Sequence, residues 1–178
     1  MPPIGARPMA DAVHTLIPLS QVEPPMIEQL LDRAFGPDRF TRTAYAIREG
    51  TEWLPALSFA ALDENDLLVG TIQAWPVALN GSDGRPYPMV MVGPVAVVPE
   101  RQGEGFGLAL MLAQGAVLDT PAALPQMLIG DAPYYSRFGF LEAPRGWHCP
   151  GPWDPARLMV RCGNHAALPQ DGMLGPWT

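Results

Sequence analysis

The sequence predicts an α+β fold: a single domain with a mixed central β-sheet flanked by helices. Three observations carry that prediction. Runs rich in β-branched and apolar residues, each bounded by turn signals, recur at Val13–Leu19, Leu57–Leu62, Leu67–Trp75 and Met89–Val98. Helical spacings are interposed among these runs without a strict strand-helix alternation. The chain has 178 residues, 48% of them hydrophobic, and neither an internal repeat nor a linker divides it, so one sizeable core is expected.

Residues 1–10, with three prolines, read as a flexible leader, and 11–178 as the domain. Val13–Leu19 is the first expected strand. Glu23-Pro24-Pro25 opens a helix, because proline is tolerated in a first turn. Met26, Ile27, Leu30, Leu31, Ala34 and Phe35 then share one face, and Gly36-Pro37 ends it. A second helix is expected over Thr43–Glu49, stopping at Gly50. Asp63-Glu64-Asn65-Asp66 reads as an exposed hairpin turn between two apolar runs. A further turn at Asn80–Gly84 leads into the Met89–Val98 strand. Pro94 removes a ladder donor inside that strand, so a bulge or a local parting from its neighbour is expected there. The helix from about Gly105 is expected to turn Leu108, Met111, Leu112, Gly115 and Leu118 to one side. Met127–Gly130 is a short strand, followed by a helix with Asp131 as N-cap and Pro133 in its first turn. That helix ends at Gly139. Beyond Ala143 the chain is rich in proline and glycine, and Leu158–Cys162 is the last clear strand.

Composition narrows the function. A formal net charge of -7 argues against general nucleic-acid binding, which needs a basic footprint. No apolar run approaches the roughly 20 residues of a membrane span. Prolines in the first ten residues break any signal-peptide core. Cys149 and Cys162 have no metal-ligand spacing, so no metal is expected, and reduced thiols suit a cytoplasmic protein.

The informative stretch runs from Val95 to Gly107. A β-branched strand, Val95-Ala96-Val97-Val98, ends at Pro99, and three alternating glycines (Gly103, Gly105, Gly107) then open an apolar helix. Such a turn exposes backbone N–H groups beside the unpaired, partly positive N-terminus of a helix, a site suited to phosphate or pyrophosphate. Gly105 is followed by Phe106 and Gly107, so this is not a Walker loop, which ends in Gly-Lys-Ser/Thr. The G-x-G-x-G spacing and the lack of a βαβ repeat set it apart from a dinucleotide fold. Gln102, Gly105 and Gly107 do fit Gln-x-x-Gly-x-Gly. With the preceding strand, this resembles the acetyl-CoA signature of the GNAT superfamily of N-acetyltransferases. A second motif follows 28 residues later, Tyr135-Ser136-Arg137-Phe138-Gly139-Phe140, of the form Tyr-x-x-x-Gly-Phe. Together with Ile129–Tyr134, Thr43-Ala44-Tyr45, Arg48-Glu49-Gly50 and Leu67–Thr71, it is similar to the YhbS-like bacterial branch. The resemblance covers about Glu23 to Phe140.

The resemblance implies a GNAT-like domain that binds acetyl-CoA as cosubstrate. The thioester would lie along Val95, Ala96 and Val97, and the pyrophosphate on Gln102, Gly103, Glu104, Gly105, Phe106 and Gly107. An amine would attack the thioester directly, with the Ala96 or Val97 amide polarising its carbonyl. Tyr135 would protonate the departing thiolate. A phenol of pKa about 10 is a reasonable donor to a thiolate whose conjugate acid lies near 8.5 or above. Glu104 stands where the family often has Lys or Arg, and Arg101 is placed to offset its charge.

The acceptor is open: a small-molecule amine and a protein amine both fit. By residue type Glu52, Glu100 and His148 are candidate bases, and none is assigned. His14 and His165 carry no motif. Trp53, Trp75, Tyr87 and Trp147 read first as core and second as pocket wall. A non-catalytic acyl-CoA-binding or sensor domain is the alternative reading. A nucleotide-phosphate enzyme ranks below both. Oligomeric state is not legible.

Overall fold

The computed structural model describes residues 14–178, so the expected leader and Val13 lie outside the described residues. Within them, nine strands form one mixed sheet. The first is β1 (Thr15–Pro18), followed by helix α1 (Pro24–Phe35) and the short helix α2 (Thr43–Ile47). Next come β2 (Phe59–Leu62), β3 (Leu68–Asn80) and β4 (Pro86–Val97). Helix α3 (Phe106–Leu118), β5 (Gln126–Ile129) and one-turn helix α4 (Ala132–Tyr135) follow. The chain closes with β6 (Leu141–Glu142), β7 (Gly146–His148), β8 (Leu158–Arg161) and β9 (Asp171–Pro176). The sheet order is β1-β2-β3-β4-β5-β8-β6, with β9 on the far half of β3 and β7 parallel to β9. The expected α+β class, hairpin and helices α1 and α2 are all present.

Helix α1 forms where its prolines and apolar spacing place it. Ile27, Leu30 and Leu31 are buried, and the Gly36 amide closes the helix on the Asp32 carbonyl. Helix α3 differs from expectation. Its buried residues are Phe106, Leu110, Met111 and Gln114, while Leu108 and Leu112 are exposed. The helix is apolar all round, so spacing alone does not orient it. Its one buried amide decides the matter: Gln114 Nε2 donates to the Leu57 and Gln73 carbonyls at 2.8 and 3.2 Å.

Strand β9 is a finding that composition hides. Asp171–Pro176 contains two glycines and a proline, yet it pairs with Val77–Asn80, extending β3 past the point where the sequence suggested its end. Asp63 also departs from the exposed turn expected of it. It is buried, its Oδ1 accepts from the Asn65 and Leu67 amides, and its Oδ2 from Arg101. Those backbone donors, with burial opposing and Arg101 assisting, hold its carboxyl below the usual range.

Two sheet features prepare the site. The β3–β4 register passes from Ile72↔Val95 to Ala74↔Val92, so Gln73 faces two residues, Gly93 and Pro94, across a bulge with a cis Gly93–Pro94 bond. This is the irregularity expected at Pro94, which has no amide to give the ladder. Second, β4 and β5 pair in parallel only at Val90↔Gln126 and Met91↔Met127. Beyond Met91 the two strands separate, while β5 stays paired with β8 along its other edge.

Candidate active site

The separated strands open a cleft of about 880 Å³. Its walls include Met91–Val95 of β4, Leu128–Asp131 at the end of β5, and Tyr134 and Tyr135 of α4. The opposite wall comes from residues 41–45, Arg48 and the segment Pro152–Asp154. The Val98 amide donates to the Val69 carbonyl on β3 at 2.9 Å. Since successive amides of an extended strand point to opposite edges, Val97 and Val95 turn theirs toward the parted edge and Ala96 toward β3. The Ala96 side chain is buried in the core.

The strand leads straight into the glycine loop. A 3-10 turn spans Pro99–Arg101, Gly103 and Gly105 adopt φ of +82° and +88°, and α3 begins at Phe106. Such φ values are open to glycine and strained for other residues. Among the described residues no side chain caps α3, and the first backbone bond closing its turn runs from Ala109 to the Gly105 carbonyl. The amides of Arg101 and Gln102 close on the Val98 and Pro99 carbonyls, and those from Gly103 to Leu108 are available to an anion. Gln102 Nε2 donates to the Val97 carbonyl at 3.3 Å, fastening the loop to the strand. The Phe106 side chain is buried in the core, so only its backbone belongs to the loop surface.

Glu104 is turned away from the amides. Its Oε2 accepts from Arg101 Nε at 2.7 Å, and Arg101 also binds Asp63 and Glu64. These partners, Glu104 first and Glu64 second, raise the Arg101 pKa, so this cation is fully committed. His14, which carried no motif, touches the loop directly. Its Nε2–H donates to the Glu104 carbonyl at 3.0 Å, and its ring lies 4.5 Å from that of Phe106.

The two tyrosines of α4 occupy different places. Tyr135 packs over Gly130 and against Phe140, with a Gly130 Cβ position only 2.4 Å from its ring. Burial, helped by Tyr134 and Asp131, pushes its pKa up to about 12. Tyr134 points toward the loop: its hydroxyl lies 3.7 Å from the Cβ position of Gly107. Asp131 holds the N-cap position through its carbonyl, which accepts from the Tyr134 and Tyr135 amides. Its carboxylate makes no cap and faces the cleft.

A second cavity of about 610 Å³ adjoins the first, sharing Arg39, Arg42, Tyr45, Arg48 and Pro152 with it. Trp53, Gln73 and Trp75 line this end, so two of the four aromatics read first as core are pocket wall. Trp147 is core, its Nε1 donating to the Pro169 carbonyl, and Tyr87 packs on the same cluster. Arg39 is buried but satisfied by Glu28, Asp32 and the Tyr45 hydroxyl. Glu52, Glu100 and His148 line neither cavity, and Glu100 is paired with Arg33 at 2.5 Å. The cavities' carboxylates are Glu28, Glu49, Asp131 and Asp154. Sequence reasoning missed the roles of Arg39, Arg48, Gln73 and Trp153. Buried arginines and aromatics scattered over 115 residues give no local signal.

Fold and site together define a transferase of the N-acetyltransferase class. The chain belongs to the acetyltransferase (GNAT) domain family, whose profile matches residues 18–143. It is 28% identical over 140 residues to YhbS of Escherichia coli strain K12, named as an uncharacterised N-acetyltransferase, which spans 78% of this chain and 81% of YhbS. The fold is shared with the crystal structure of E. coli YhbS in complex with CoA, at a TM-score of 0.70 and 22% identity over 97% of this chain and 93% of that one. A Brucella melitensis GNAT acetyltransferase solved with acetyl-CoA matches at a TM-score of 0.58 and 26% identity, covering 85% and 88%. Among the described residues no helix is long and apolar enough to cross a membrane.

Proposed function

We propose that this protein transfers an acetyl group from acetyl-CoA to an amine in the cytoplasm by direct attack, without a covalent enzyme intermediate. The observation that carries the reading is the continuity of one edge: β4 parts from β5 after Met91, and its free side runs into the open amides of the glycine loop. An extended ligand with a diphosphate at one end fits that edge. The pyrophosphate would rest on the amides of residues 103–108 rather than on that of Gln102, with Tyr134 beside Gly107 as a neighbour. The pantetheine arm and thioester would follow Val95 to Val97. Strand alternation favours the Val97 or Val95 amide over that of Ala96 for polarising the thioester carbonyl, where oxyanion charge develops.

The attacking amine must be unprotonated. It adds to the thioester carbon, its nitrogen gives up one proton to water, the tetrahedral intermediate collapses, and CoA leaves as the thiolate with the electron pair of the broken C–S bond, to take up a proton from water. Tyr135 is the proposed donor to that sulfur. With a pKa near 12 it keeps its proton across the working range. Full transfer to a thiolate whose conjugate acid lies near 8.5 is uphill by about three units or more, so its main effect is a hydrogen bond that strengthens as negative charge grows.

The test is thiol release from acetyl-CoA with a panel of amines, repeated with Tyr135→Phe. The chain contains no lysine, so none of its own side-chain amines competes as acceptor. Turnover by the wild type, lost in Tyr135→Phe while CoA binding persists, supports the proposal. CoA binding without turnover of any amine supports the sensor reading instead.

A further inference from the structure

Arg48 is a buried cation that the transfer described above leaves without a task. It is only 5% exposed and lines both cavities. Among the described residues, ion pairs go to Arg33, Arg39, Arg101 and Arg145, and none to Arg48. The nearby acids Glu28 and Asp32 are taken by Arg39, and the Tyr45 hydroxyl accepts from Arg39 Nη1 at 2.6 Å. Arg48 is instead held by rings: its Cζ is 4.1 Å from the Tyr45 centroid and 3.9 Å from that of Trp75. Their π faces offset part of its lost hydration. Burial lowers its pKa to about 10, which leaves it charged at neutral pH. A buried guanidinium with five donors and no acid partner is poised for an incoming anion.

Two further buried atoms in these walls lack partners among the described residues. Trp153 Nε1, in the larger cavity, is a donor, and Gln73 Oε1, in the smaller, is an acceptor. Gln73 stands opposite the Gly93–Pro94 bulge. Trp75 joins the two regions, with its ring against Arg48 and its Nε1 donating to the Gly93 carbonyl at 2.8 Å. The cationic corner is thus one indole ring from the point where the thioester strand opens. The wall common to both cavities thus carries a cation, the larger cavity adds a donor and the smaller an acceptor opposite the bulge, a set that complements a molecule bearing both an anion and an amine.

We infer that the acceptor is a small amine that also carries a carboxylate, bound by Arg48 and Trp153 Nε1, with Gln73 accepting a hydrogen bond from its amine. This rests on the acetyl-transfer reading. It excludes simple alkylamines and protein amines that lack an acid at that spacing as preferred acceptors.

The test uses the full chain and matched acceptors, α- and ω-amino acids beside their amides and the corresponding alkylamines, with thiol release as readout. The carboxylate-bearing member of at least one pair should have kcat/KM on the order of 10- to 100-fold higher, the range expected for hydrogen bonds to a charged partner. Arg48→Met, close to Arg in length and free of buried charge, should raise KM for that acid by a similar factor while changing kcat far less. It should also abolish the preference over the alkylamine. Arg48→Lys should recover part of the affinity, since charge returns without the planar fork. Thermal melts of both variants establish folding. Equal use of both members of every pair, or turnover of no carboxylate-bearing amine by protein that binds acetyl-CoA, overturns the inference and leaves the CoA assignment standing. Failure to bind acetyl-CoA would instead remove the reading beneath it.

Discussion

The glycine loop and the cavities beyond the parted strands are built from different parts of the chain. The glycine-loop end is backbone: free amides at residues 103–108, two left-handed glycines, and a strand edge whose neighbour has turned away. The other end is side chain: Arg48 against Tyr45 and Trp75, with Gln73 and Trp153 in the walls of the two cavities that Arg48 shares. A backbone site needs consecutive residues that permit one conformation, so it leaves a compact mark in the sequence. A side-chain site needs only that a few residues meet in space, and it leaves none. The general step of a family is therefore easier to read than the molecule it acts on.

The largest effect is expected at the junction of the two ends. Tyr135→Phe should lower kcat by about 10²- to 10³-fold, the usual cost of losing one hydrogen bond to developing negative charge, and leave acetyl-CoA affinity nearly unchanged. Tyr134→Phe should do the reverse, weakening CoA binding with a smaller change in kcat, because its hydroxyl lies beside Gly107. Steady-state kinetics with calorimetry separates the two. An equal loss of kcat in both variants would mean the roles are shared.

The sequence located the loop, the α4 motif, α1 and the bulge because each depends on local chemistry: glycine at positive φ, proline without an amide, apolar residues at helical spacing. It did not orient α3, whose exposed Leu108 and Leu112 are as apolar as its buried Leu110 and Met111. It did not reveal β9, because a strand containing Gly172, Gly175 and Pro176 is specified by its partner β3 rather than by its own propensity. His14 looked idle because its partner, the Glu104 carbonyl, is 90 residues away. Arg48 sat inside a recognisable segment, yet nothing local says that its charge is buried.

Smaller effects sharpen the contrast between the ends. Gly130→Ala places a Cβ 2.4 Å from the Tyr135 ring, so the phenol must shift. A displacement of that kind should reduce kcat by about 10- to 100-fold with CoA binding intact, as stopped assays beside calorimetry will show. Gly105→Ala forces a side chain into φ +88° and brings it 3.1 Å from His14 Cε1. Acetyl-CoA affinity should then fall by about 10-fold, matching strain of roughly 1–3 kcal/mol at such a position. The pH profile comes next. Burial raises the Tyr135 pKa to about 12, so its proton is retained from neutral pH through pH 10, where an unperturbed tyrosine would be half ionised. The rate should rise as the acceptor amine deprotonates and should not turn down by pH 10. A falling limb centred near 10 would show that the acid is an exposed phenol. The smallest change belongs to Glu104→Gln. Its carboxylate faces Arg101 and is 45% exposed, so acetyl-CoA affinity should stay within about threefold.

Binding of acetyl-CoA by the loop amides and the free edge of β4 is the first thing to measure, by calorimetric titration of the folded protein with acetyl-CoA, CoA, ATP and NAD. Selective binding of acetyl-CoA and CoA, weakened in Gly105→Ala, is the predicted result. Absence of CoA binding in folded protein, or equal affinity for ATP and NAD, would contradict it.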